Sequence, residues 1–227
     1  MRIVPGFVGT ADGSCLIEVG HTRVICTACI ADELPRWRVG GQAGWVTAEY
    51  GMLPASTHQR KARPVAKPDS RSVEIQRLIG RSLRPVAVLD KLGPRTVHLD
   101  CDVLEADGGT RTASITGAQV ALSLAAAKAA GDGRFQAGAV KGLVAAVSVG
   151  IVDGAAVLDL NYEEDSRAEV DMNVVMTHSG KYVEVQGSSE AGPFTDADLA
   201  DMLKLARGGI RRLLAMQREA IAEGMSE

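Results

Sequence analysis

The sequence predicts an α+β protein in which mixed or antiparallel sheets pack against long helices. Three pairs of β-type segments are separated by tight-turn residues at Gly20-His21, Asp153-Gly154 and Ser179-Gly180, a pattern typical of hairpins. Between these pairs lie long segments whose apolar residues recur at helical spacing. Because strands and helices come in blocks rather than in strict alternation, a purely parallel sheet is not expected.

The individual elements follow from local patterns along the chain. Hairpins are predicted over 14–30, 144–160 and 169–186, a further strand over 95–104, and helices over 72–89, 112–130 and 195–222. Thr195 suits a helix N-cap because an acidic residue, Asp198, follows three positions later. Pro85 is expected to kink or end the first helix. We divide the chain near residue 137 into two halves of one compact unit, 1–137 and 138–227.

Composition limits the class of protein further. Of the 227 residues 46% are hydrophobic but only 4% are aromatic, so the chain can bury a sizeable core, and that core must be aliphatic. The longest uncharged run, 112–127, is shorter than the ~20 apolar residues that a bilayer span needs. The N-terminus does not have the pattern of a signal peptide. We therefore expect a cytoplasmic protein with no membrane partner.

The four cysteines do not form a recognisable disulfide or zinc pattern. Cys26 and Cys29 are the only close pair, and they fall on a predicted strand. Residues three apart on a strand point to opposite faces, so these two thiols are not expected to share a ligand. We interpret the cysteines as small, mostly buried apolar residues.

Positive charge is concentrated in one segment although the whole chain carries a formal net charge of −3. Between residues 60 and 84 there are eight basic and two acidic residues, a local charge of +6. Such a segment favours a local polyanion site, although a solvated helix face is the more common explanation. The basic residues are Arg60, Lys61, Arg63, Lys67, Arg71, Arg77, Arg81 and Arg84.

A glycine turn with anion-binding character precedes the second predicted helix. Gly108 and Gly109 allow close approach of the backbone to a ligand, and Thr110 and Arg111 add a hydroxyl and a planar guanidinium. The uncharged helix that follows is expected to be buried, so its N-terminal amides point at one fixed place. The alternative is an ordinary capped connection between a strand and a helix.

Acidic residues crowd between residues 159 and 171. This stretch contains six acids and a single basic residue, Arg167, beside a predicted strand with an apolar face. Crowded carboxylates can share a cation such as Mg²⁺, or one of them can remain protonated as a general acid. A solvated loop is an equally good explanation of the pattern.

Taken together, these segments resemble the ribonuclease PH family, the phosphate-dependent 3′-exoribonucleases that trim transfer RNA precursors. The resemblance extends over nearly the whole chain, and its longest blocks are residues 44–54, 74–81, 100–117 and 160–173. It implies a fold similar to ribosomal protein S5 domain 2 in the first half, followed by the C-terminal half of that family. It also implies a cytoplasmic hexamer built as a trimer of dimers, acting on transfer and ribosomal RNA rather than DNA.

The resemblance implies specific roles for residues of this chain. Inorganic phosphate, the co-substrate, would be bound by Arg71, Gly109, Thr110 and Arg111, and Mg²⁺ by Asp165 and Asp171. Arg111, Asp165 and Asp171 would be catalytic, with Asp165 donating a proton to the departing 3′ oxygen. Arg60, Arg63, Arg77 and Arg81 would contact RNA. Phosphate would attack the last phosphodiester, releasing a nucleoside diphosphate, and the reaction would also run in reverse.

Two other classes of function remain open. One is a non-catalytic RNA-binding ring subunit with the same fold, and the other is a phosphate-binding fold that acts on small molecules. The chain also departs from the family pattern: it does not show the N-terminal Arg-x-Asp-Gly-Arg string, and it has Pro68-Asp-Ser-Arg71 and Gly187-Ser-Ser-Glu190 at two loops. We expect the first departure to affect an outer strand and ring contacts, and the second to affect the aim of Arg71.

Overall fold

A computed structural model of the chain describes residues 1–63, 69–189 and 191–226. Lys67, Pro68 and Glu190, which were singled out in the sequence, lie outside these ranges. The described residues form two β-sheets and four α-helices, which confirms the predicted α+β class. In chain order the elements are β1 (Arg2–Pro5), β2 (Gly13–Val19), β3 (Thr22–Ala31), β4 (Trp45–Met52), α1 (Ser70–Leu83), β5 (Thr96–Glu105), α2 (Thr110–Gly131), β6 (Val144–Val152), β7 (Ala155–Leu158), α3 (Tyr162–Arg167), β8 (Val170–Thr177), β9 (Tyr182–Ser189) and α4 (Asp196–Gly224).

The first sheet positions the ends of two strands at one edge. Its order is β1-β2-β3-β5-β4, and every pair is antiparallel except β4 with β5, which run parallel. Parallel strands end at the same edge of a sheet. The C-terminal end of β4 therefore lies beside the end of β5, from which the chain enters the 106–109 turn and α2.

The second sheet is antiparallel throughout, in the order β7-β6-β8-β9, and α4 packs against it. Helix α2 lies between the two sheets, in contact with β2 and β3 on one side and β6 on the other. Thr116 of α2 both accepts a hydrogen bond from the Ala146 amide and donates one to its carbonyl. This position explains why α2 is apolar around its whole circumference, as the uncharged sequence indicated.

Three sequence-based expectations about elements can be compared directly. The predicted turns at Gly20, Asp153-Gly154 and Gly180 all have left-handed backbone conformations between paired strands. The first long helix was predicted to residue 89, which is wrong: α1 ends at Leu83, and Arg84–Val86 continues as a 3-10 turn. Pro85 cannot donate the amide hydrogen bond that would extend an α-helix, so the helix stops there.

Burial follows the predicted pattern along the strands. Cys26 is fully buried and Cys29 is exposed, as expected for two residues on opposite faces of β3.

Among the described residues no group of three or more cysteine, histidine and carboxylate side chains is arranged to hold a metal ion. Within the same part of the chain, no helix is both long enough and apolar enough to cross a bilayer.

Two carboxylates on the outer face of the first sheet, Asp100 and Asp102, have raised pKa values. Partial burial and the neighbouring Glu49 raise the pKa of Asp102, and burial, Glu49 and Asp102 raise the pKa of Asp100. Glu49 lies directly opposite Asp100 in the parallel register. Burial is the larger cause and repulsion the smaller one, and both disfavour the ionised forms, so ionising these acids costs the folded state stability.

We expect Asp102→Asn to raise the melting temperature at pH 7. A raised pKa in the folded state means that stability is greatest below the ordinary pKa of 3.8 and falls as the pH rises through the raised value. The substitution removes this loss, so its gain should disappear near pH 3. Thermal unfolding at both pH values measures it, with the exposed Asp201→Asn as the control. A gain of equal size at both pH values would contradict the repulsion between these acids.

Candidate active site

The N-terminus of α2 has the features of an anion-binding site. The helix begins at Thr110, two residues earlier than predicted, and Gly109 is its N-cap in the left-handed conformation, with φ 58°. Thr110 is 8% exposed, and Arg111 lies in the first helical turn with 19% of its side chain exposed. The first amides of a helix have no acceptor within the helix, and the helix dipole adds partial positive charge. This end of α2 is therefore suited to phosphate oxygens.

Tyr50 connects the end of β4 to this turn. Its hydroxyl donates a hydrogen bond of 2.9 Å to the Thr110 hydroxyl. Burial raises the pKa of Tyr50, while the bond to Thr110 and the positive charges of Arg71 and Arg111 act in the opposite direction. Both guanidinium groups therefore act on the same hydroxyl. Thr110 therefore contacts Tyr50, and Arg71 and Arg111, two further predicted phosphate ligands, lie close enough for their charges to act on the Tyr50 hydroxyl.

Arg71 is placed by the start of α1. The side chain of Asp69 accepts a hydrogen bond of 2.7 Å from the Ser72 amide and caps the helix. That bond is the main reason why the pKa of Asp69 is lowered. Arg71 follows in the first turn and is exposed. Two helices therefore begin at this site, and each contributes one arginine from its first turn.

Glu74, one turn further along α1, forms an ion pair with Arg111. Its carboxylate lies 3.7 Å from the Arg111 guanidinium, and both side chains keep some exposure. An ion pair of this length is loose, so it can orient the guanidinium without saturating its donors. Arg111 thus remains able to bind an anion at the N-terminus of its own helix.

The acidic segment packs directly against the glycine turn. Residues 162–167 are not a loop but the short helix α3, which starts with a capping box between Asn161 and Glu164. The Tyr162 amide donates to the Asp107 carboxylate over 3.2 Å. A Cβ at Gly108 would lie 2.3 Å from the Leu160 carbonyl oxygen. Gly108 is thus required for contact with the second half of the chain rather than for contact with a ligand.

The two predicted metal ligands come from adjoining elements. Asp165 is an exposed residue near the end of α3, and Asp171 is the second residue of β8. The Ser188 hydroxyl of β9 donates to Asp171 over 2.8 Å, which orients that carboxylate. The donors are hard oxygens, and Mg²⁺ commonly takes only one or two carboxylates, completing its shell with water and substrate oxygens. This donor set therefore fits Mg²⁺ and does not fit a closed structural metal site.

The predicted RNA-contacting arginines differ in their surroundings. Arg60, Arg63 and Arg77 are exposed to solvent. Arg81 instead forms a two-pronged ion pair with Glu184 of β9, with distances of 2.8 and 2.6 Å from Nε and Nη2. The sequence showed no nearby acid for Arg81 because Glu184 is brought to it only by the packing of the two halves. An RNA phosphate would have to compete with that carboxylate.

Sequence reasoning did not assign roles to two further residues, Tyr50 and Asp107. A signal for Tyr50 existed, because alternate residues of β4 point inward and a buried tyrosine hydroxyl needs a partner. Its partner could not be deduced without the parallel pairing of β4 with β5. Asp107 stood inside the glycine turn, and only the packing against α3 shows which amide it accepts from.

The arrangement of two sheets around one buried helix, with two helix N-termini meeting at one edge, defines a fold shared with exosome subunits. Residues 1–128 match the family model for the 3′ exoribonuclease family, domain 1, and residues 142–209 match domain 2 of the same family. The chain belongs to this family, the ribonuclease PH family, as the resemblance in the sequence indicated.

Solved structures show the same fold at low sequence identity. The rice (Oryza sativa) Rrp46 structure superposes with a TM-score of 0.77 at 15% identity, covering 97% of this chain and 93% of that one. The Archaeoglobus fulgidus exosome with RNA bound to the active site gives 0.80 at 22%, covering 93% and 85%. A structure described as the archaeal exosome core gives 0.75 at 22%, covering 96% and 85%.

Proposed function

We propose that this protein is a phosphate-dependent 3′-to-5′ exoribonuclease that trims the 3′ ends of transfer RNA precursors and can add nucleotides from diphosphates in reverse. One observation supports this proposal most directly: where two helices begin, Thr110 binds the Tyr50 hydroxyl and the charges of Arg71 and Arg111 act on the same hydroxyl, beside a docked acidic helix. The arginines and the Thr110 hydroxyl would bind the attacking phosphate, and the acidic helix would assist the departing 3′ oxygen.

In the proposed reaction, Arg71 and Arg111 hold inorganic phosphate with the amides at the start of α2. An oxygen of this phosphate forms a bond to the phosphorus of the last phosphodiester, and the bond from that phosphorus to the 3′ oxygen breaks. The terminal nucleotide leaves as a nucleoside diphosphate, and the shortened RNA keeps a 3′ hydroxyl. Fixed positive groups stabilise the charge that builds up on the equatorial oxygens without reorganisation.

The acidic residues of the site would assist the departure of the 3′ oxygen. We assign proton donation to the departing 3′ oxygen to Asp165, the exposed carboxylate of α3. Asp171 would hold Mg²⁺, together with Asp165 once Asp165 has given up its proton, and the bound ion would supply charge stabilisation at the reacting phosphate. The hydroxyl of Ser188 keeps the Asp171 carboxylate in place for this role.

The direct test is release of nucleoside diphosphate from an RNA with a single-stranded 3′ tail, in Mg²⁺, with and without inorganic phosphate. We expect release only when phosphate is present, with diphosphates and not monophosphates as products. Monophosphate release without phosphate would indicate a hydrolase and contradict the proposal. EDTA is expected to stop release, and added Mg²⁺ to restore it.

Asp171→Asn is expected to stop turnover while phosphate still binds. The substitution keeps the size of the side chain and its bond to Ser188 but removes the charge that a cation needs. Single-turnover release should fall by about two orders of magnitude, a typical effect of removing one charged group from a reaction centre. Thermal stabilisation by phosphate should stay as in the parent protein. Ser188→Ala is the matched comparison and should lower the rate less, because it disturbs only the orientation of Asp171.

A non-catalytic RNA-binding ring subunit is the second candidate. The solved structures of similar fold include an archaeal exosome core and an exosome with RNA bound to the active site, so a role as a subunit of such an assembly is open to this fold. RNA binding in a gel shift with no release under either phosphate condition would favour this candidate. The presence of Arg71, Arg111, Asp165 and Asp171 in this chain favours the enzyme.

We also propose that the protein assembles as a hexameric ring, a trimer of dimers. The described surface carries large apolar side chains that a monomer leaves in water, including Trp37 at 66% and Val39 at 76% exposure. Such side chains are commonly covered by a partner. Light scattering coupled to gel filtration should give six times the 23.8 kDa chain mass, and a monomeric mass would contradict the ring.

A further inference from the structure

One large aromatic side chain next to the glycine turn is left mostly in water. Tyr162, the first residue of α3, is 62% exposed. Its ring belongs to none of the aromatic or cation–π pairs that the described residues form, whereas Tyr182 packs under the Arg207 guanidinium at 4.9 Å and bonds to it through its hydroxyl. The exposed face of Tyr162 is open to a ligand, and stacking on it would remove apolar surface from water.

The backbone that carries this ring is fixed against the glycine turn. The Tyr162 amide donates to Asp107 over 3.2 Å, and Asp107 stands two residues before Gly109, the N-cap of α2. The preceding residue, Asn161, caps α3, and its carbonyl carbon would lie 2.8 Å from a Cβ on Gly108. The ring therefore projects from an ordered segment close to the start of α2, so a ligand that binds to it does not have to order a loop.

The ring also lies one helical turn from the residue assigned to proton donation. Tyr162 and Asp165 are three positions apart in α3, and residues at that spacing are neighbours on one helix face, with Cβ atoms about 5–6 Å apart. In the proposed reaction the last phosphodiester reacts between the glycine turn and Asp165. Tyr162 belongs to both sides, because its amide binds Asp107 and its side chain lies beside Asp165. The base attached to that phosphodiester would therefore be within reach of its ring.

The charge of α3 favours a base over a phosphate at this position. Its first turn carries Glu163, Glu164 and Asp165, and no basic residue precedes Arg167 in the helix. These carboxylates repel the phosphates of an RNA backbone but do not repel an uncharged base. An aromatic ring can stack on any base, because every base has a π-face. Stacking therefore suits an enzyme that removes nucleotides one after another.

We propose that the Tyr162 ring stacks on the base of the terminal nucleotide, in RNA before the reaction and in the nucleoside diphosphate after it. The proposal rests on the proposed function for the position of the reacting groups. Stacking needs the ring and not the hydroxyl, so phenylalanine should be able to replace tyrosine here. The stacked base would hold the terminal nucleotide in place while Arg111 and Asp165 act at its phosphate.

Equilibrium binding of ethenoadenosine diphosphate, a fluorescent nucleoside diphosphate whose emission changes when its base stacks, tests the proposal without requiring turnover. With the whole protein in Mg²⁺, we expect Tyr162→Ala to weaken binding about fivefold or more, as the loss of a stacked aromatic ring does. Tyr162→Phe should bind the probe as the parent protein does. Inorganic pyrophosphate has two phosphates and no base, so it should displace the probe from parent and Tyr162→Ala with the same inhibition constant.

Controls separate stacking from effects on the fold, on assembly and on catalysis. Tyr182→Ala removes another exposed tyrosine ring, on β9, and should leave probe binding unchanged. Equal binding by Tyr162→Ala and the parent, no binding by the parent, or an equal loss of pyrophosphate affinity overturns the proposal. A smaller assembly for Tyr162→Ala in light scattering would assign the ring to a second copy of the chain and overturn it too. Probe binding that depends on Tyr162, without phosphate-dependent release from RNA, would contradict the exoribonuclease and leave the stacking intact.

Discussion

Replacing Arg111 with alanine is expected to lower phosphate-dependent release of nucleoside diphosphate by at least about two orders of magnitude, the usual cost of losing one preorganised donor at a reacting group. The guanidinium lies in the first turn of α2, and its charge acts with that of Arg71 on the Tyr50 hydroxyl, beside which we propose that phosphate binds. Its loss removes both a charge and a pair of directed donors. Initial rates over a range of phosphate concentrations measure the effect.

RNA binding should survive this substitution, which a gel shift can show. Arg77→Ala is the matched comparison, since Arg77 lies exposed on α1 and is a predicted RNA contact. That variant should raise the KM for RNA and leave the KM for phosphate unchanged. If Arg111→Ala loses RNA binding and stability together, then Arg111 acts on the structure through Glu74 and not on phosphate.

Replacing Gly108 with alanine is expected to destabilise the protein by ~3 kcal/mol or more, because a positive φ and a steric overlap act together. The new Cβ would lie 2.3 Å from the Leu160 carbonyl oxygen and 2.8 Å from the Asn161 carbonyl carbon. Both atoms are backbone and cannot move aside as a side chain would. Chemical unfolding monitored by circular dichroism measures the loss.

Gly109→Ala separates the two causes of that loss. Gly109 also has a positive φ, 58°, but the nearest atom to its new Cβ would be 3.4 Å away. This variant should lose only the ~1–2 kcal/mol that a left-handed alanine costs. Equal losses in both variants would mean that backbone conformation, and not the contact between the two halves, makes Gly108 necessary.

Local sequence correctly predicted those turns and helix ends whose backbone conformation depends only on neighbouring residues. The hairpin turns at Asp153-Gly154 and Gly180 need left-handed backbones that glycine and aspartate tolerate, and the structure has them there. The capping box at Thr195 and Asp198 starts α4 as predicted. Pro85 signalled the end of α1, and the error in its predicted end came from following the apolar spacing past that proline.

The candidate anion site rests in part on the same kind of local signal. Gly109, Thr110 and Arg111 are consecutive, so a glycine turn before an uncharged helix was enough to indicate amides and a guanidinium facing one place. The sequence showed the acidic residues between 159 and 171, but it did not show that they pack against the glycine turn. Their short helix has no partner that the sequence could indicate: the Tyr162 amide donates to Asp107, and Gly108 is required by the backbone of Leu160 and Asn161 rather than by a ligand.

The sequence by itself determined the class of elements, the buried central helix and the family to which the chain belongs, because these depend on short-range spacing and on long contiguous blocks. Only the tertiary structure decided which distant residues meet. It joins Tyr50 to Thr110, turns Arg81 toward Glu184, and brings the Tyr162 amide to the Asp107 carboxylate. Each of these contacts joins residues from different elements, and strand order and helix packing, which local patterns do not encode, bring them together.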